Sequence, residues 1–255
     1  MAEYETIRRA GAGVRTAEID AGLRAHMNSV YGLMAAGMVV TGIVAYVFGM
    51  DLKALVNGQE TTIVPASMLL AIFNTPLKWV VMFAPLILVF TMGAAINRLS
   101  QSGAQMFFYA FAAVMGLSIS SIFAVYTGYS IAQIFFITAI AFMGLSLWGY
   151  TTKKDISGWG SFLIMGVIGL VVASIVNIFL ASPAIMFAIS TIGVLVFAGL
   201  TAYDTQRIKN EYVMMASTPG GEAWLGKAAI MGAVSLYINF INMFMMLLQL
   251  FGSRE

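Results

Sequence analysis

The sequence predicts an all-α polytopic membrane protein with seven transmembrane helices, and three observations predict it. Of the 255 residues, 60% are hydrophobic and 9% are charged, against about 25% charged in an ordinary soluble domain. The charges are also unevenly spread: none falls between Arg98 and Lys153, between Asp155 and Asp204, or between Lys227 and Arg254. A spanning helix needs roughly 20 apolar residues, so the first two gaps each hold two helices and the third holds one. A membrane β-barrel would alternate polar and apolar residues, and that alternation is missing.

Residues 1–27 are polar and mixed in charge, with no apolar stretch directly behind a short basic start. They are expected to form a cytoplasmic amino-terminal tail rather than a cleavable signal peptide. The first helix then acts as its own insertion signal. The spans are placed at 29–50, 79–97, 104–126, 130–149, 161–181, 184–203 and 229–251. Tyr126, Thr127 and Gly128 punctuate one long apolar run, and Ser182 and Pro183 punctuate the next. The stretch 61–73 is apolar but short, and Pro76 and Lys78 follow it, so it reads as an interfacial or loop segment. Residues 28–252 make one transmembrane domain without internal repeats, and 253–255 make a short tail.

Orientation follows from the basic residues. With the amino end in the cytoplasm, the inner side holds Arg8, Arg9, Arg15, Arg24, Arg98, Lys153, Lys154, Arg207, Lys209 and Lys227, and the outer side keeps Lys53, Lys78 and Arg254. A cytoplasmic amino terminus is expected, with the carboxyl end opposite. Full crossing by the last helix stays open, because only Arg254 would change sides.

Residue types exclude several chemistries. Tyr203-Asp204 is half of an intramembrane aspartyl site, but no second embedded carboxylate accompanies it, and that chemistry needs two. His26, the one histidine, precedes the first span and reads as a solvated interfacial residue, which leaves no embedded Ser–His pair or zinc peptidase site. No lysine sits mid-helix for a Schiff base, and neither a phosphate loop nor a basic, aromatic-interleaved nucleic-acid patch is present. No enzyme and no cofactor are expected. The methionines Met231, Met243, Met245 and Met246 lack the Cys or embedded His of a copper site and read as lipid-facing packing. Gly32 with Gly37, and Gly166 with Gly169, read as surfaces for close helix packing.

Ionisable groups at membrane depth are functional candidates. Arg98 closes the second span and Asp204 the sixth, both on the same side, so they either meet as a pair or each mark a helix end. Asn239 and Asn242 in the last span either hydrogen-bond between helices or line a pore.

Four segments carry a family resemblance. Residues 202–209, Ala-Tyr-Asp-Thr-Gln-Arg-Ile-Lys, resemble the sixth-helix signature of the Bax inhibitor family of small seven-helix membrane proteins. Residues 235–242, Ser-Leu-Tyr-Ile-Asn-Phe-Ile-Asn, resemble its last-helix motif. Residues 149–157, Gly-Tyr-Thr-Thr-Lys-Lys-Asp-Ile-Ser, resemble its loop after the fourth helix, and residues 113–120, Ala-Val-Met-Gly-Leu-Ser-Ile-Ser, its third helix. The resemblance implies six helices around a central seventh in a bacterial inner membrane. It also implies a calcium-permeable, pH-sensitive leak channel closed at the cytoplasmic side. There the family's paired aspartates on helices six and seven engage an arginine at the end of helix two. Carried over, the helix-six aspartate is Asp204, which would also be the calcium ligand, since hard divalent ions take carboxylate oxygen. The arginine is Arg98. The helix-seven aspartate falls on Asn239, an amide that cannot ionise, so the family's two-carboxylate pH response is expected to be weakened here. The alternative implied role is modulation of a membrane-bound protease, with the amino-terminal tail as its handle.

Overall fold

A computed structural model describes residues 2–218 and 220–254, and within them the side chains of all but 2–18, 222 and 223. Among the described residues the chain forms helices α1 (Ala2–Val56), α2 (Ala66–Phe73), α3 (Leu77–Ala95), α4 (Gln101–Ile119), α5 (Ile122–Val125), α6 (Gly128–Thr151), α7 (Trp159–Leu180), α8 (Pro183–Ser217) and α9 (Glu222–Phe251). Among the described residues, seven spans are long and apolar enough to cross a membrane, with α4 and α5 sharing one. The outward faces bear large apolar side chains such as Phe90, Phe162, Met165 and Phe179, each at least 70% exposed. A water-soluble monomer does not tolerate so extended an apolar surface. All-α and polytopic, as expected.

Local chemistry sets the breaks. Ser100 and Thr127 cap α4 and α6 by accepting from the backbone N–H of Gly103 and Ser130, which satisfies donors that a helix start leaves free. Between α7 and α8, Ala181 takes a left-handed conformation (φ 48°), and Asn177 Oδ1 accepts from Ser182 N at 3.0 Å. Pro183 then opens α8, where its missing N–H costs nothing. The segment 61–73 does not cross: it supplies α2, eight residues long, with Leu69 and Ile72 buried.

The last helix is central in the sense expected. About its apolar window 61% is buried, against 11–39% for the other spans. It packs on α1, α4, α6 and α8, whereas α3 leans on α4 and α7 on α8. Ile230, Ala233, Leu236, Tyr237, Met243 and Leu248 are among its fully buried residues. Tyr237 donates to Thr41 Oγ1 at 2.5 Å, and Thr41 donates onward to Ala112 O at 2.8 Å, tying α9 to α1 and α4. The helix also runs the full height of the bundle. Gly226 near its start lies against Gln101 at the start of α4, and Gly252 at its end lies against Tyr126. Thr127 N donates to Ser253 O at 3.0 Å beside it.

Several expectations need correcting. Met243 is 1% exposed, and Met231, Met245 and Met246 pack against the same core. Met243 is thus a core residue and the other three are partly buried against the core, because their helix is the enclosed one and flexible thioethers fill irregular gaps. His26 is buried rather than solvated, its ring 5.0 Å from that of Tyr212. The boundary expected at residue 28 falls inside α1, and among the described side chains packing against the core reaches back to Ile19. The tail side chains expected to serve as a protease handle lie outside those described up to residue 18. Of the glycine pairs, Gly37 abuts Phe108 and Gly166 abuts Val196, while Gly32 and Gly169 face open space.

Candidate functional site

The stretch 202–209 of α8 is the hub of one end of the bundle. Gly149 lets α6 approach it so closely that a Cβ there would overlap Ala202 O. Along the next two turns nearly every side chain reaches a different neighbour. Gln206 accepts from Ile156 N at 2.9 Å and donates to Lys154 O at 2.8 Å, clamping the α6–α7 loop. In that loop the Ser157 backbone N–H and hydroxyl beside Asp155 hold its carboxyl below the usual carboxylate range. Lys209 donates to Tyr150 O at 2.8 Å, satisfying a carbonyl that the end of α6 leaves free. Thr205 spends its proton on Thr201 O, so Ser146 donates to Thr205 and Tyr31 donates to Ser146, at 2.9 and 2.5 Å.

Asp204 lies among these contacts, 5% exposed, and faces α9. Its Oδ1 is 3.0 Å from Nη1 of Arg207, and its Oδ2 accepts from Asn239 Nδ2 at 2.7 Å. Arg207 also donates from Nη2 to Ser235 Oγ at 3.1 Å, with Glu211 3.5 Å from its Nε and the Tyr203 ring 5.8 Å away. The guanidinium therefore bridges α8 and α9. Its side chain is 39% exposed, and it opens on a cleft of about 240 Å³ lined by Ser157, Tyr203, Gln206, Asn210, Glu211 and Met214. A dry carboxylate thus touches an arginine that reaches water.

Two of the three expected site residues meet, and the third does not. Asp204 and Asn239 are hydrogen-bonded, but Arg98 is exposed in the turn beyond α3, and the ion pair of Asp204 is with Arg207. The physical reason is packing: α3 leans on α4, whereas Arg207 sits one turn along Asp204's own helix, where i,i+3 side chains meet. That spacing, together with the shared motif, was the signal that identifies Arg207. Asn242 donates back to Ile238 O of its own helix and neither bridges helices nor stands free.

The family described as Inhibitor of apoptosis-promoting Bax1 matches residues 23–255. The chain belongs to the Bax inhibitor family. Among its relatives is the inner membrane protein YbhL of Escherichia coli K12, 43% identical over 237 residues, covering 92% of this chain and 94% of the relative. A Caulobacter vibrioides protein is 48% identical over 242 residues, 93% and 92% of the two chains. A membrane protein of Streptococcus pyogenes serotype M3 is 32% identical over 242 residues, 92% and 96%. Three of the four Bax inhibitor motifs, residues 149–157, 202–209 and 235–242, build the Asp204 cluster and its surroundings, and the fourth, on α4, sets Gly116 against Thr41 of α1.

Proposed function

We propose that this integral membrane protein is a calcium-permeable leak channel closed at the cytoplasmic end of its bundle by Asp204, Arg207 and Asn239. The supporting observation is the pairing of Asp204: one oxygen is held by a guanidinium and the other by an amide N–H. In that state its charge is compensated by Arg207, and each oxygen already serves one donor. Glu211 lies on the far side of Arg207, so a swing of the guanidinium toward Glu211 frees Asp204 Oδ1. Rotation of the Asn239 amide then presents Oδ1 in place of Nδ2, and the same pair becomes two oxygen ligands. Calcium asks for six to eight oxygens; one carboxylate, an amide and Ser235 fall short of a resident site and suit an ion in passage. Among the described residues no group of three or more acidic or histidine side chains converges as a metal cage. Arg98 takes no part in this closure.

The test is calcium uptake into liposomes holding the purified protein. Uptake above protein-free liposomes that is lost in Asp204→Asn supports the reading. No uptake by either the native protein or Arg207→Gln overturns it. The amino terminus is assigned to the cytoplasm on the ten-to-three charge bias, and reporter fusions after Gly22 and near Arg254 would give opposite signals.

A further inference from the structure

A cavity larger than the Arg207 cleft lies elsewhere, between α1 and α6. These two helices stand apart, each leaning on α8 and α9, and the Tyr31–Ser146 hydrogen bond bridges them. The space between them is about 770 Å³. Its walls change character along its length. At one end are Arg24, Asn28, Tyr31, Ser146 and Tyr150; beyond them the lining is Met, Ala, Val and Phe, with Phe240 of α9 among it. Arg24 is the charged residue of the lining, and it is exposed. From Arg24 to Val39 the α1 wall measures about 22 Å at 1.5 Å per residue. Half of a ~30 Å hydrocarbon core is about 15 Å, so the groove matches one leaflet's acyl layer plus the start of its headgroup layer.

We infer that this groove is a binding site for a phospholipid with an anionic headgroup, drawn from the leaflet on the amino-terminal side of the membrane. The acyl chain lies along Met34, Met38, Ala139 and Phe142, and the phosphate meets Arg24, with Asn28 one turn on as a hydrogen-bond donor. A second copy of the chain would not need a cation at one end of an otherwise apolar wall; a lipid does, because its charge and its tail are separated in the same way. Methionines suit such a wall, since flexible thioethers mould to chains of differing length. The site is independent of calcium permeation. It shares Ser146 with the hydrogen-bond chain to Thr205.

The test is native mass spectrometry of the full-length protein released from nanodiscs of equal phosphatidylglycerol and phosphatidylcholine. A single basic residue at a membrane surface contributes about 1 kcal/mol, so phosphatidylglycerol should be retained about fivefold over phosphatidylcholine. Arg24→Gln should bring the ratio to near one. Ala35→Trp and Ala139→Trp, one on each wall, should each empty the groove, while Ala141→Trp, on α6 outside the lining, should retain lipid as the native protein does. Elution profile and thermal unfolding confirm that each variant is folded. Equal retention of both lipids by the native protein overturns the inference. So does undiminished phosphatidylglycerol in a folded Ala35→Trp or Ala139→Trp protein, which would mark the lipid as annular only.

Discussion

Two buried aspartates stand at opposite ends of this bundle, and they are held in different ways. Asp51, near the end of α1, is 2% exposed. Its carboxylate accepts from Thr62 N, Thr62 Oγ1, Ile63 N and Val64 N at 2.6–2.8 Å. All four donors belong to one loop, and three are backbone, so they move only if the loop moves. Asp204 is held by two side chains, Arg207 and Asn239, each able to change rotamer without disturbing a helix. Backbone donors make an anchor, and side-chain donors make a latch. The same residue type therefore fastens a loop at one end and, on our proposal, closes a pathway at the other.

The largest expected effect breaks the anchor. Asp51→Ala leaves three backbone N–H groups without their acceptor, and unmade buried hydrogen bonds are costly. We expect a fall of several degrees in the thermal midpoint, with protease cleavage appearing between residues 57 and 65. An unchanged midpoint and an uncut loop would remove the distinction between the two ends.

A smaller effect tests the latch as a pair. Removing one partner of a fully buried ion pair costs about 3–5 kcal/mol, and the exposure of Arg207 lowers that here. A double-mutant cycle of Arg207→Ala with Asp204→Asn should show coupling of about 1 kcal/mol in detergent-solubilised stability. The same cycle with Arg98→Ala should be additive. Coupling to Arg98 instead would restore the cross-helix pair that the sequence suggested.

Of similar size is the effect of breaking the loop clamp at the latch end. Gln206→Ala loses two hydrogen bonds of ordinary neutral type, so about 1–2 kcal/mol, and hydrogen exchange should rise at Ile156. This sharpens the contrast, since here a single side chain secures a loop that a carboxylate secures at the other end. Least in stability but clear in behaviour is Asn239→Asp. It places two carboxylates within hydrogen-bonding reach, where they share a proton. Calcium flux should then acquire a steeper dependence on pH between about 5 and 8, an interval bracketing perturbed carboxylates, than the native protein shows. A native protein that already switches sharply there, unaltered by Asn239→Asp, would separate Asn239 from any sensing role.

Much of the fold was legible in the sequence because lipid demands long apolar runs, and charge-free gaps mark them directly. Hydropathy registers the membrane, though, and not the helix. Hence α8 runs on to Ser217, well past the span end placed at 203, because charged residues outside lipid remain good helix formers. The same extension explains His26: Tyr212 lies on the part of α8 beyond the expected span and covers the imidazole. Asp204 and Asn239 were legible as residues, since polar groups at depth stand out against an apolar background. Their cation was not, because topology offered Arg98 at the same membrane face and gave no information on which helices touch. Asp51 was invisible for a related reason: its partners are mainly backbone N–H groups, which carry no sequence signature.

The most direct test of the latch compares two arginines in calcium uptake by proteoliposomes. Arg207→Gln should raise the initial rate severalfold over the native protein, because Asp204 loses the cation that occupies it. Arg98→Gln should leave the rate as it was. A rise with Arg98→Gln and none with Arg207→Gln would contradict the account.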